Sequence, residues 1–118
     1  MRINHGGEPT QVYGGRFTGD VALEMLGPAE DESQPDIARV AFKDGAVTFW
    51  HTHPGGQKLL VLDGVGRIGM ENEEVILQAG AYVDTPPDER HYHGAAEGQS
   101  CTILAITWGT TWWEESGP

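Results

Sequence analysis

Two short stretches of this 118-residue chain hold most of its side chains able to do chemistry. Residues 50–57 read "WHTHPGGQ" and residues 91–94 read "HYHG", and together they carry four of the five histidines. Within each stretch the histidines stand one residue apart. On a β-strand that spacing sends both imidazoles to the same face. Two such rings offer two nitrogen donors to one metal ion, with further donors brought by other strands. Buried rings need polar partners, and a single ion would satisfy several of them together. The plainer alternative is a polar face whose histidines bond to water or backbone.

The elements that must position these rings are short. Seventeen glycines and seven prolines punctuate the chain, leaving runs of five to eight residues rich in Val, Ile, Leu, Thr and aromatics, the pattern of an all-β domain. Strands are expected near 20–25, 37–43, 46–53, 57–63, 65–70, 75–78, 81–85, 91–94 and 100–108. Turns fall at "DG" (44–45), "ENEE" (71–74), "PPDER" (86–90) and "AAEGQ" (95–99). The acidic stretch 27–36 reads as a surface loop. Nine or so short strands at this spacing imply a sandwich or small barrel. Alternation from 46 to 53 puts Val47, Phe49, His51 and His53 on one face. Pro54, Gly55 and Gly56 turn the chain, and Gln57 then returns on the face of Leu59 and Val61. If the hairpin closes normally, the Gln57 amide reaches the point the two imidazoles reach.

Composition narrows the function classes. Eighteen acidic residues against seven basic give a formal charge of −11, which argues against nucleic acid and anionic membrane surfaces, whose affinity comes from basic patches. One cysteine, Cys101, excludes an internal disulfide and reads as a small buried hydrophobe. No apolar run approaches the roughly 18 residues of a membrane span. The opening "MRINHGGEPT" lacks the apolar core of a signal peptide, so a cytoplasmic location is expected. One domain is expected over 1–118, with 1–15 an extended arm or edge strand and 109–118 a tail. His5 reads as a surface residue of that arm.

Spacing across both stretches resembles the cupin superfamily. Gly45-x5-His51-x-His53-x3-Gln57-x6-Gly64 matches the first cupin motif with Gln where Glu is common. Gly80-x5-Pro86-x-Asp88-x2-His91-x3-Ala95 matches the second, with Asp88 in place of Gly and Ala95 in place of Asn. The resemblance implies a β-barrel of jelly-roll type and carries the metal ligands over to His51, His53, Gln57 and His91. Within the superfamily the chain is most similar to bacterial manganese-dependent hydroxynitrile-lyase-like cupins, which share "HTHP-x-GQ" and "H-[WY]-HGA", and "RFTGDV" (16–21) resembles a strand that precedes their barrel. It implies a divalent transition metal, manganese first, with iron, zinc, nickel, cobalt and copper as alternatives. Such cupins commonly pair through their sheets, so a homodimer or higher homo-oligomer is expected.

One departure bears on the reaction. Those lyase-like cupins tend to place a further inward histidine on the strand after the second motif. Here that position is Ile103, with Thr107 four residues on, and isoleucine cannot move a proton. His93 is then the candidate base, with a supporting role beside His91 as its alternative. Three imidazoles and an amide are all neutral, so a divalent ion among them would keep its full +2, favouring Lewis-acid work over easy oxidation. The expected pocket wall is Ala38, Val40, Phe42, Val47, Phe49, Leu59, Tyr82, Cys101, Ile103 and Thr107, small and largely apolar, suited to a small organic substrate. The isoleucine counts against cyanohydrin cleavage but not against Lewis-acid chemistry in general, so Lewis-acid lyase or isomerase chemistry is the leading expectation. An iron- or manganese-dependent dioxygenase of quercetinase type and a non-catalytic metal-binding cupin are the alternatives. Trp108, Trp112 and Trp113 either cover the barrel exterior, meet a second copy, or line a substrate entrance.

Overall fold

The computed structural model describes residues 1–11 and 13–118, and among them there is no helix. Ten strands follow in chain order: β1 Glu8–Thr10, β2 Val21–Gly27, β3 Asp36–Phe42, β4 His51–Thr52, β5 Gln57–Gly69, β6 Glu74–Gln78, β7 Tyr82–Thr85, β8 Tyr92–Ala95, β9 Cys101–Thr107 and β10 Trp112–Trp113. The architecture is the all-β jelly-roll barrel that the strand pattern and motifs lead one to expect. With no helix among the described residues, none is long and apolar enough to cross a membrane.

Alternation builds the barrel wall. On β3 the inward positions are Ala38, Val40 and Phe42, and on β9 they are Cys101, Ile103, Ala105 and Thr107. Antiparallel register sets Ala38 against Ala105, Val40 against Ile103 and Phe42 against Cys101. On the other side of β9, Leu59 meets Ala105 and Val61 meets Ile103. Apart from Thr107, these side chains, with Leu23, Ile68, Leu77 and Ala95, form the hydrophobic core. The last inward rung pairs Gln57 with Thr107. The apolar ladder therefore ends in polar groups at one end of the barrel.

Two strands differ from the sequence expectation in ways that matter for that end. The runs 57–63 and 65–70 form one continuous strand, β5, whose first half pairs with β7 and β9 and whose second half pairs with β6 and β8. The change of partner is made at a bulge between Val61 and Asp63 and at Gly64, whose φ is +78°. Conversely, 46–53 is regular only at β4. Ahead of it Val47 and Thr48 make isolated bridges to Gly94 and Phe17, and the backbone partners change residue by residue, from His93 to Arg16 to Ser116. Strict alternation is lost there, and Thr48 in place of Phe49 faces the interior.

The chain ends also take part in the sheets. β1 pairs antiparallel with β2, and β10 pairs with β4. The stretch expected as a C-terminal tail is thus a strap laid along the strand that carries His51. Two-residue strands give no periodic signal, which is why pattern reading passed over β10.

Candidate metal centre

Four histidines converge where the rung of Gln57 and Thr107 closes the barrel. His51 stands on β4 and His53 follows it, before the Pro54–Gly56 turn. His91 bridges back to His51 through reciprocal backbone hydrogen bonds of 2.9 and 3.0 Å, and His93 lies on β8. Ring centroids are 4.3 Å apart for His51 and His91, 4.7 Å for His51 and His53, 5.3 Å for His53 and His91, and 5.4 Å for His51 and His93. All four are buried.

Their hydrogen bonds fix which nitrogen carries a lone pair. His51 Nδ1 lies 2.8 Å from Phe49 O and His91 Nδ1 lies 2.9 Å from Glu89 O. A carbonyl only accepts, so each Nδ1 bears the proton and each Nε2 is a free donor to a metal. His53 Nδ1 meets Thr111 Oγ1 at 3.0 Å. His53 Nε2 and His93 Nδ1 are buried with no hydrogen-bond partner. Burial drives all four imidazoles toward the neutral form. His51 and His93 fall well below the usual histidine value, from burial first and then from neighbouring histidines. His91 is lowered by burial. His53 is pushed down to about 3 by burial and by His91, with Gln57 opposing. Neutral rings are the form that binds a cation.

Gln57 gives the clearest sign of what the cluster is for. Its Nε2 donates to Thr107 Oγ1 at 2.9 Å, and its Oε1 faces His91 Nε2 at 3.1 Å. With the proton of His91 on Nδ1, that contact sets one acceptor against another. Two lone pairs about 3 Å apart are what adjacent ligands of one ion present when metal–ligand bonds are near 2.1 Å. The donor chemistry, with buried unpartnered nitrogens, fits a divalent transition metal.

Two overlapping donor sets are present. One ring nitrogen from each of His51, His91 and His93 lies within 4.8 Å of the others, so these three can hold an ion. The set inferred from the motifs keeps His51 and His91 and uses His53 and Gln57 in place of His93. Gln57 brings an amide oxygen to that set, facing His91. His93 packs edge-on against the Phe42 ring at 5.9 Å and receives its positioning from the β8 backbone, where its N–H donates to Thr48 Oγ1 at 3.1 Å.

A family profile for the cupin domain matches residues 38–107, more than half of the chain. The chain belongs to the cupin family. Over 93 residues this cupin is 44% identical to an (R)-mandelonitrile lyase of Granulicella tundricola, a match spanning 76% of this chain and 70% of that protein. A cupin-like protein of Thermotoga maritima superposes with a TM-score of 0.83 at 33% identity, over 98% of this chain and 90% of the other. The polyketide cyclase RemF of Streptomyces resistomycificus shares the fold, with a TM-score of 0.78 at 16% identity, over 94% of this chain and 81% of that one.

A partly open cavity lies beside the histidines of the cupin. His51, His53, Gln57, His93 and Thr107 make its polar end, while Ala38, Val40 and Phe42 line its wall. His91 stands behind Gln57 and does not line it. Six expected wall residues lie elsewhere, among them Val47 and Cys101, which are buried away from the cavity. Tyr82 is 58% exposed on the outer face of the barrel, because β7 pairs Tyr82 with Leu60, an outward position of β5. Leu59 and Ile103 are core residues that do not line the cavity. Phe49 points away to a half-buried position against Gly117, a consequence of the broken alternation before β4.

Sequence reading missed a second group of lining residues: Tyr13, Phe17, Leu23, Met25, Asp36, Thr48, Ala105 and Thr111. Trp113, for which lining an entrance was one of three alternatives, lines the cavity too. Leu23, Met25 and Ala105 were within reach, since they continue the inward parity of β2 and β9. Tyr13 and Thr111 lie outside any strand, and Trp113 sits in a two-residue one. The aromatic part of the cavity wall is therefore Tyr13, Phe17, Phe42 and Trp113 in place of Phe42, Phe49 and Tyr82.

Proposed function

We propose that this cupin is a metal-dependent lyase acting on a small hydroxylated substrate of the cyanohydrin type. His51, His53, Gln57 and His91 hold the ion, with manganese the first candidate. The facing lone pairs of His91 Nε2 and Gln57 Oε1 carry this reading, and the buried free Nε2 of His53 supports it. The 44% identity to a mandelonitrile lyase supports the reaction class. When bound, the ion supplies Lewis acidity undiminished by any anionic protein ligand.

The chain's own residues do the rest. Phe17, Leu23, Met25, Phe42 and Trp113 hold the substrate's apolar group and exclude water. His93, held neutral by burial, accepts the hydroxyl proton as the carbon–carbon bond breaks to leave a carbonyl compound. The departing cyanide then takes that proton back, so the ring returns to its starting state. Ile103 offers no competing base, since it is an aliphatic core residue that does not line the cavity.

The test pairs elemental mass spectrometry of protein purified without chelator with anaerobic assay of mandelonitrile cleavage, followed by benzaldehyde release. About one transition metal per chain and turnover without oxygen are expected. Turnover that consumes O2 would move the protein to the dioxygenase class. Chains that stay metal-free after incubation with each divalent ion would mean that the Gln57 amide is turned over to donate to His91, and the reading falls. His93→Ala separates the two donor sets. The expected result is retained metal with activity reduced by about 10²- to 10⁴-fold. Loss of metal in that variant would make His93 a ligand and end its assignment as base.

A further inference from the structure

The C-terminal strap is bonded to the histidine stretch at several points between Trp108 and Ser116. Trp108 exchanges backbone hydrogen bonds with Gly55 and Gly56 at 3.2 and 3.1 Å. Trp112 and Trp113 register with Thr52 and His51. Glu114 N–H donates to Trp50 O, and Trp50 N–H donates to Ser116 O. Arg90, the residue before His91, lies flat on the Trp50 ring at 3.7 Å and donates to Glu114 at 3.0 Å. The strap is therefore built into the site's wall on both histidine stretches.

At its centre, the strap brings a hydroxyl to an imidazole. Thr111 Oγ1 lies 3.0 Å from His53 Nδ1, and Tyr13 lines the same cavity. Trp113, two residues on, lies 4.6 Å from the His51 ring and 5.5 Å from Tyr13. His51 and His91 have backbone carbonyls to hold their Nδ1–H groups, whereas the side-chain contact that holds His53 Nδ1 is the Thr111 hydroxyl. With Nδ1–H donating to Thr111, the lone pair of His53 is left on Nε2, which is buried without a hydrogen-bond partner.

We infer that Thr111 is a positioning residue for His53, fixing its tautomer and ring orientation through the contact of its hydroxyl with His53 Nδ1, so that the C-terminal strap is part of the scaffold of the donor set. The bearing of this on metal affinity rests on the function proposed above. The tautomer does not, because it is a property of the metal-free protein. Partners that orient a ligand's other nitrogen typically change metal affinity about 10- to 100-fold when removed.

Thr111→Val keeps the side-chain shape and deletes the hydroxyl, and Thr111→Ser restores a hydroxyl. Nitrogen-15 NMR of histidine-labelled, metal-free protein reads the His53 tautomer directly. The proton is expected on Nδ1 in the natural chain and in Thr111→Ser, and redistributed toward Nε2 in Thr111→Val. Competition with a chromophoric chelator for Mn²⁺ should show about a 10- to 100-fold loss for Thr111→Val and near-natural affinity for Thr111→Ser. Circular dichroism of all three proteins checks that the fold is kept. A His53 proton on Nε2 in the natural chain, or a valine variant whose tautomer is unchanged, overturns the inference. A natural chain with the expected tautomer that binds no metal overturns the proposed function and leaves the positioning role standing.

Discussion

At Gln57 the chain uses a neutral amide where a carboxylate would attract a cation more strongly. The amide earns its place by reaching two partners, donating to Thr107 Oγ1 while its oxygen faces His91 Nε2. Gln57→Glu adds a negative charge to the donor set, so metal affinity should rise, by about tenfold on the pattern that ligand charge sets affinity. Turnover should fall, because the ion's net charge drops from +2 to +1. Unchanged affinity in a chelator competition would remove Gln57 from the donors. Cys101 presents a different residue-scale case, a group shaped chiefly by burial. It is buried on β9 away from the cavity, and burial, helped by Asp63, pushes its thiol up to about 11 from an ordinary 9.0. The folded state keeps a proton that the unfolded chain gives up sooner. Its stabilising effect is thus complete below about pH 9 and is lost as pH climbs through 11. Denaturant titrations at about pH 8 and about pH 10 should show Cys101→Ala losing less stability between the two than the natural chain. Equal losses would show that the thiol does not contribute.

β5 is the element on which the barrel's geometry turns, since it must leave one set of partners and join another within 13 residues. Gly64 makes the change possible. Its φ of +78° is one that side-chain-bearing residues rarely adopt, and a Cβ there would stand 2.0 Å from Ser100 O. Gly64→Ala therefore combines backbone strain with a steric clash, and a loss of about 2–3 kcal/mol is expected from urea unfolding with an unchanged slope. A cost under about 0.5 kcal/mol would mean that β5 bends elsewhere. Elements of this kind were legible in the sequence wherever alternation ran for several residues. The inward series Ala38, Val40, Phe42 and Cys101, Ile103, Ala105, Thr107 follows from parity once the strands are assigned. The histidine stretches were legible because two motifs fix their spacing independently of any strand boundary. Parity failed at Tyr82, where a one-position error in pairing moves a side chain to the opposite face of the sheet. It failed again at Phe49, where the backbone changes partner at successive residues and alternation has no meaning. The strap and Tyr13 were illegible for another reason. Their roles depend on contacts between residues about 60 to 100 positions apart, and local pattern carries no trace of those.

The barrel as a whole places its donors on separate stretches of chain. His51 belongs to β4, His53 to the turn after it, Gln57 to the start of β5, and His91 to the approach to β8. In the absence of an ion these stretches are held by backbone bridges and by imidazoles driven neutral in a buried cluster. An ion that binds them only when they are assembled adds its binding free energy to folding. The whole surface favours its arrival, because a net charge of −11 raises the local concentration of cations, and Glu30, Asp31, Glu32 and Asp36 line the groove that adjoins the cavity. At a free metal concentration about 100 times the dissociation constant, linkage adds about 2.7 kcal/mol. For a domain of this size that corresponds to a rise in Tm on the order of 10 °C. Chelator-treated protein should therefore melt about that much lower than metal-loaded protein, and one equivalent of the native metal should restore it. His51→Ala should melt at the same temperature with and without metal, because it removes a donor shared by both possible sets. A natural chain whose Tm ignores saturating Mn²⁺, Fe²⁺ and Zn²⁺ alike would show that no ion joins these stretches. The neutral imidazoles would then be ordinary, if unusually crowded, residues of the barrel.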